Sequence, residues 1–485
     1  MELRNAGAVV PAWNWAVLPG EERQDERAGY RRLAAAAGAY AARPPAGTDR
    51  VTTGPGAQSD IEAWTQAHFE KPIVTGGLSI GRVAVISDPE AIRRVLMTNS
   101  ANYEKDWLQR RVLSVGLSNG LLTAEGHQWK IQRRALAPLF SRKTVTAFTE
   151  AMMQAAQELV ERLRASHGEE VDFAAEASRV TLDVLERTIF SDGFGRDPGE
   201  IRRAMKVYFE TIGRIDPLDV FGVPAFVPRP NLWKLKPTLR LFENAVNSLI
   251  AARRERLASD PAGVPRDILT LLLEARDPDT GTPLSEIEIR ANILTFIAAG
   301  QETTANCLSW SLYLLSQSPE WSRRVRAEAD RELDSGIDGL AGRLVETRAV
   351  IDEANRLFPP IAAISRQALG SDTLAGTTIK AGTMVVIAPY VLHRHRTLWD
   401  KPDHFDPTRF LPGRAQAVHR FAYLPFGVGP RTCIGASFAL QEASLVLATI
   451  ARNFTLELAP GHKIWPEQKV TLRPKGGLPM IVGNR

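Results

Sequence analysis

The sequence predicts a mainly helical fold, a large bundle with a long central helix and small β-sheets. Three observations carry this. From Gly126 to about Gln317 nearly every segment reads as helix. Within that stretch, IRANILTFIAAGQETTANCLSWSLYLLSQ is apolar nearly all round and reads as a helix buried through the centre of the molecule. Strand-like pieces are short and lie at 72–87 and after 362.

Residues 1–57 are rich in Ala, Arg, Gly and Pro and are expected to form a leader or arm, with 58–485 as a single domain. PIVTGG and RVAVIS read as two strands around a glycine turn, and Asp88 with Pro89 is an N-cap and first-turn pair for the helix EAIRRVLMTN. Five prolines between 217 and 237 forbid a continuous helix there, leaving an apolar loop. The central helix begins at Ser285, with Glu288 three residues on as a capping box, and runs to about Gln317. Ser318 and Pro319 start the next helix, and another ends at Pro359 and Pro360. AISRQAL, TMVVIAP, FTLEL and GLPMIV read as short strands among loops.

With 44% hydrophobic residues in 485, the chain can bury a large core. No apolar window reaches membrane-spanning length, and the early stretch AGAVVPAWNWAVLPG is broken by Pro11, Asn14 and Pro19. A cytoplasmic protein without a transmembrane anchor is expected. The net charge of +5 is interspersed with acids and not gathered in blocks, so nucleic-acid binding has no support. Only two cysteines, Cys307 and Cys433, are present and far apart, which excludes a disulfide framework, a four-cysteine zinc site and a cysteine-ligated iron–sulfur cluster.

Three motifs stand out. Ala299, Gly300, Gln301, Glu302, Thr303 and Thr304 put an acid and hydroxyls into the buried helix, where they act either as a satisfied kink or as a proton relay. A threonine hydroxyl bonding back one turn would loosen the helix at Gly300. Glu353 and Arg356 form an ExxR, a spacing also found at Glu90 and Arg93, where a solvated pair is the default reading. The third is LPFGVGPRTCIG, in which Phe426, Gly429, Arg431, Cys433 and Gly435 fill the pattern FxxGxRxCxG. A helical run follows, so Cys433 sits at a helix mouth, where backbone N–H groups favour a thiolate. The glycines let backbone approach something large and flat, and Arg431 supplies a cation nearby.

These motifs together resemble a cytochrome P450, a haem-thiolate monooxygenase, over roughly residues 60–485. The resemblance implies haem b as cofactor, with Cys433 as the axial iron ligand. It makes Glu302 and Thr303 the catalytic acid and alcohol beside Ala299, and Glu353, Arg356 and Arg409 a structural triad behind the haem. Trp129 and Arg133, in GHQWKIQRR, join Arg366 and Arg431 as propionate contacts, with His393 as a weaker addition; Phe426 and Gly435 belong to the cofactor loop. The segment HRHRTLW departs from the family's HRDPxxW, and His393 with His395 as a metal pair is the alternative it opens.

The implied reaction is insertion of one oxygen atom from O2 into a C–H bond of a hydrophobic small molecule. The candidate pocket comprises Leu113, Val115, Leu117, Leu121, Phe296, Ile361, Ala362 and the loop around Phe221 and Phe226, all of which read equally well as core. Electrons are expected from a ferredoxin or flavodoxin with its NAD(P)H-dependent reductase, docking near Lys130, Arg134, Arg142 and Lys143. A peroxide-driven or rearranging haem-thiolate enzyme is the alternative, and a non-catalytic haem sensor a more distant one.

Overall fold

The computed structural model describes residues 64–484 other than 79–80, 192, 194–196, 213–232 and 234. The expected leader, the tip of the first turn, and Phe221 and Phe226 lie outside the described residues. Ten helices frame the site: α1 (Trp107–Leu117), α2 (Gly126–Leu136), α3 (Thr149–Ala165), α4 (Phe173–Leu185), α5 (Pro198–Ile212), α6 (Lys236–Ser259), α7 (Glu286–Ser316), α8 (Pro319–Leu333), α9 (Val345–Leu357) and α10 (Ala436–Asn453).

α7 is the central helix. Ser285 caps it, accepting from Glu288 N while the Glu288 carboxylate accepts from Ser285 N at 2.9 Å, so two orphan donors are satisfied at once. Most of its side chains are buried against α4, α9 and α10. Thr303 Oγ1 donates to the Ala299 carbonyl at 2.7 Å, yet the helix stays regular through Gly300 and is not loosened there. Gln301 in the same turn donates to Ser178 Oγ of α4 at 3.0 Å. The pair starting α8 and the end of α9 before the double proline lie where the sequence put them.

Among the described residues twelve strands complete the fold: β1 (Ile73–Leu78), β2 (Gly81–Ile86), β3 (Tyr103–Glu104), β4 (Glu170–Asp172), β5 (Ile364–Ala368), β6 (Asp372–Leu374), β7 (Thr377–Ile379), β8 (Met384–Ile387), β9 (Phe454–Leu458), β10 (Pro466–Gln468), β11 (Leu472–Pro474) and β12 (Pro479–Asn484). They form a five-stranded sheet in the order β1-β2-β8-β5-β3, a three-stranded sheet β4-β12-β9, and two hairpins. β2 and β8 pair in parallel, Val83 opposite Met384, and bring an early segment beside one three hundred residues on. Asp88 caps its helix by accepting from Ala91 N at 2.7 Å, but after Arg93 that helix widens into a π turn over Arg94–Thr98. No helix among the described residues is long and apolar enough to cross a membrane.

Candidate active site

The Cys433 loop is closed by backbone. Cys433 N–H donates to the Phe426 carbonyl at 2.8 Å, around a single 3₁₀ turn, Gly429–Arg431. Gly429 has φ +79°, and a Cβ there would lie 2.0 Å from the Leu96 carbonyl oxygen. The protein's own backbone therefore requires this glycine. Gly435 is different: a Cβ on it would meet only Cys433 Sγ, at 4.0 Å, so its other side is open. Gly435 is also the N-cap of α10, which sets the sulfur at the helix start.

The Cys433 thiol has exposed surface, yet burial pushes its pKa up; its sulfur thus opens into a space inside the molecule. The Gly435 N–H and the charge of Arg133 act in the opposite sense and favour the thiolate. A second open surface lies on α7, where Ala299 is exposed and Gly300, Glu302 and Thr303 are half-buried in an otherwise buried helix. Burial raises the pKa of Glu302, opposed by the Thr471 hydroxyl and the charges of Arg473 and Lys469.

Cations gather beside the cysteine loop. The Arg431 guanidinium stacks on the Trp129 ring with 4.0 Å to its centroid, donates to the Ala124 carbonyl at 2.8 Å and pairs with Glu125. Lys105, buried, holds the other Glu125 oxygen at 3.2 Å. Burial, and then the neighbouring Arg366 and Arg133, lower Arg431 to about 10; burial and the charge of Arg431 lower Lys105 to about 8. Arg366 itself is depressed by burial and supported by Glu125 and Asp106. Lys105, Arg133, Arg366 and Arg431 thus face two carboxylates, Glu125 and Asp106, which leaves an excess of positive charge that suits a ligand with two acidic groups.

The ExxR pair is wholly internal. Arg356 Nε lies 2.6 Å from Glu353 Oε2 and Nη2 donates to Oε1 at 2.8 Å, while the other guanidinium N–H groups donate to the carbonyls of His393, Pro402 and His404. Arg409 joins at 3.6 Å from Glu353 Oε1, an ion pair without a hydrogen bond, while Asp406 N donates to that oxygen at 2.8 Å. By contrast Glu90 and Arg93, at the same spacing, pair in the open.

His393 is no member of the cation cluster. It is buried beside Arg356, accepts from Leu424 N at 2.8 Å, and burial with that guanidinium lowers it to about 3. His395 uses both ring nitrogens, on the Lys71 carbonyl and the Thr397 hydroxyl, so the metal pair does not exist. Among the described residues no cluster of three or more His, Cys, Asp and Glu could hold a metal ion.

An apolar recess between α1, α5, α6 and α7 is lined by Leu117, Met205, Phe242, Leu294, Ile297 and Ala298. α1 bends into it at Gly116, φ +84°, where a Cβ would press within 2.7 Å of Leu239. Of the residues expected at the pocket, Leu117 lines this recess. Phe296 is core, edge-on to Phe140, and Ala362 is buried in the core; Leu121 is likewise buried, whereas Leu113 and Val115 are half-buried and Ile361 is exposed. Arg134 is spoken for, with Asp277 at 2.7 and 2.6 Å, whereas Lys130, Arg142 and Lys143 are exposed.

Sequence reasoning missed Lys105, Glu125 and Thr471, which lie in ordinary charged or polar runs, and the helix faces of Met205 and Phe242, which look like any amphipathic stripe.

The profile of the family described as Cytochrome P450 matches residues 61–480. Cyclooctatin synthase of Streptomyces melanosporofaciens is 33% identical over 399 residues, covering 81% of this chain and 84% of that protein. Cyclooctat-9-en-7-ol 5-monooxygenase of the same organism is 32% identical over 413 residues, 84% of this chain and 87% of that protein. The crystal structure of the cytochrome P450DA heme domain aligns with TM-score 0.76 and 27% identity, over 86% of this chain and 90% of that one. The chain belongs to the cytochrome P450 family and is a haem-dependent monooxygenase.

Proposed function

We propose that haem b occupies the space onto which Cys433 and Ala299 open, with Cys433 Sγ as iron ligand and Arg133, Arg366, Arg431, Trp129 and Lys105 holding the two propionates. Phe426, Gly435 and Ala299 then lie against the ring. The observation that carries this reading is the charge count beside the open thiol: four cations against two carboxylates, with room for two more. When bound, haem supplies the oxidising power that places one atom of O2 into a C–H bond.

In holding the iron the Cys433 sulfur would be a thiolate, whose charge the Gly435 N–H and Arg133 would steady against the cost of burial. Thr303 spends its hydroxyl proton on the Ala299 carbonyl, so its oxygen is left as an acceptor that orients a donor such as water. Glu302 is the acid on the same open stretch, and burial favours its protonated form relative to an exposed carboxylate. These two residues favour O2-dependent turnover over a peroxide-driven reaction. Glu353, Arg356 and Arg409 hold the Cys433 side of the core rigid.

The substrate is a hydrophobic small molecule held in the apolar recess. Its one polar group, the Tyr208 hydroxyl, already donates to the Val115 carbonyl at 2.9 Å, so shape and water exclusion fix the substrate. A ferredoxin or flavodoxin, reduced by an NAD(P)H-dependent reductase, docks through Lys130, Arg142 and Lys143. Thr303→Ala is the test: product formed per reductant consumed should fall at least several-fold, with the missing electrons appearing as hydrogen peroxide. Unchanged coupling would remove Thr303 from proton delivery.

A further inference from the structure

The β10–β11 hairpin lies along α7, pinned to that helix at two points and to the loop after α9 at a third. Asn306 Nδ2 donates to Thr471 Oγ1 at 2.9 Å, Trp310 Nε1 donates to the Leu472 carbonyl at 3.1 Å, and Leu472 N donates to the Pro360 carbonyl at 2.9 Å. Asn306 follows Glu302 by four residues, one helical turn, so the two share a face of α7. Thr471, bonded to Asn306, is thereby set beside Glu302 on this face of α7, where its hydroxyl acts to lower the Glu302 carboxyl pKa against the effect of burial. Since Thr471 Oγ1 already accepts from Asn306, its own proton is free for Glu302. The Glu302 Oε2 atom is buried and takes no hydrogen bond.

Two cations on the hairpin, Lys469 and Arg473, act on Glu302, and both are held by a third residue. Lys469 Nζ is 3.6 Å and Arg473 Nε 3.1 Å from Glu467 Oε2, all three side chains being 20–25% exposed. Glu467 and Glu302 therefore compete for the same two positive charges, one at the solvent edge and one inside.

We propose that this hairpin is the control element of Glu302: Thr471 orients its carboxyl, and Glu467, by holding Lys469 and Arg473, leaves Glu302 able to carry a proton. The proposal rests on the reading of Glu302 as the proton-delivering acid. When Glu302 releases its proton toward the cavity, the carboxylate left behind accepts from Thr471 O–H and is stabilised by the two cations. The proton is restored from bulk solvent at the hairpin edge: an O–H bond of hydronium breaks as the Glu302 O–H bond forms, and neutral water is left behind. Thr471 and Glu467 are positioning residues in this scheme.

The test follows the carbonyl stretch of the protonated Glu302 carboxyl by infrared spectroscopy of the haem-loaded protein across pH, the band being identified by its loss in Glu302→Gln. Glu467→Gln, which frees both cations, should increase the Glu302 ionisation constant about tenfold. Thr471→Val should decrease it by a similar factor and raise peroxide release, and Thr471→Ser should restore both. Lys469→Gln, at the solvent edge, serves as a second probe and should decrease the constant. Identical titrations in all four hairpin variants would overturn the proposal. Titrations that move as stated, with Glu302→Gln leaving product per reductant unchanged, would uphold the hairpin coupling and overturn the role of Glu302.

Discussion

Arg356 grips Glu353 in a forked pair, Nε to Oε2 at 2.6 Å and Nη2 to Oε1 at 2.8 Å, and neither side chain has any exposed surface. Every remaining lone pair and N–H of the pair that the structure assigns goes to backbone 37 to 53 residues further along. Removing one member leaves an uncompensated buried charge. Arg356→Ala and Glu353→Ala should each cost about 3–5 kcal/mol, visible as a loss of folded, haem-retaining protein on expression. Glu90→Ala, at the same spacing but in the open, should leave the unfolding midpoint unchanged within error.

Glu442 on α10 is buried with both carboxyl oxygens lacking a hydrogen-bond partner, and burial raises its pKa well above the ordinary carboxylate range. The folded state then keeps a proton that the unfolded chain loses above about pH 4.5. Stability conferred by the neutral acid is fully present below that pH and falls as pH rises toward the folded-state value, by about 1.4 kcal/mol per unit. Glu442→Gln cannot ionise, so its unfolding free energy should gain on the parent protein steadily between pH 5 and 8. A constant difference across that range would show that Glu442 ionises freely in the folded protein.

The cation cluster makes a prediction about haem retention. Arg431→Leu and Lys105→Met should each speed transfer of haem to a scavenging globin about tenfold to a hundredfold, the worth of one charge-assisted hydrogen bond. His393→Gln should leave that transfer rate unaltered, because His393 is bonded to Leu424 in the layer behind. Faster transfer in the histidine variant and not in the other two would reverse the assignment.

Docking of the electron donor separates free cations from committed ones. Glu substitutions at Lys130 and Lys143 should slow electron uptake and flatten its salt dependence. Arg134→Ala should instead lower stability, since it strips a bidentate partner from buried Asp277, while the salt dependence of electron uptake stays as it was.

Much of the fold was legible because it is written in local chemistry. The capping box at Ser285 and Glu288, the Asp88 and Pro89 pair, and the double proline after α9 each act within a few residues. The cysteine loop is legible as a motif, but the approach of Gly429 to Leu96, more than three hundred positions away, is not, because no local pattern reports such a contact. His393 was drawn toward the propionates by its neighbours in sequence, whereas burial beside Arg356 decides its place. Arg134 and Lys130 look alike in the chain, and only the fold of Asp277 onto one of them tells them apart. Short strands such as β4 and β10 carry too few residues for a period-two pattern to emerge.

The central claim is that Cys433 ligates the haem iron through its thiolate, and the carbon monoxide complex of the reduced protein tests it most directly. The strongly red-shifted Soret band of thiolate ligation is predicted for the parent protein, with loss of that band in Cys433→Ser. A parent protein without the shifted band, or a serine variant that keeps it, would contradict the account.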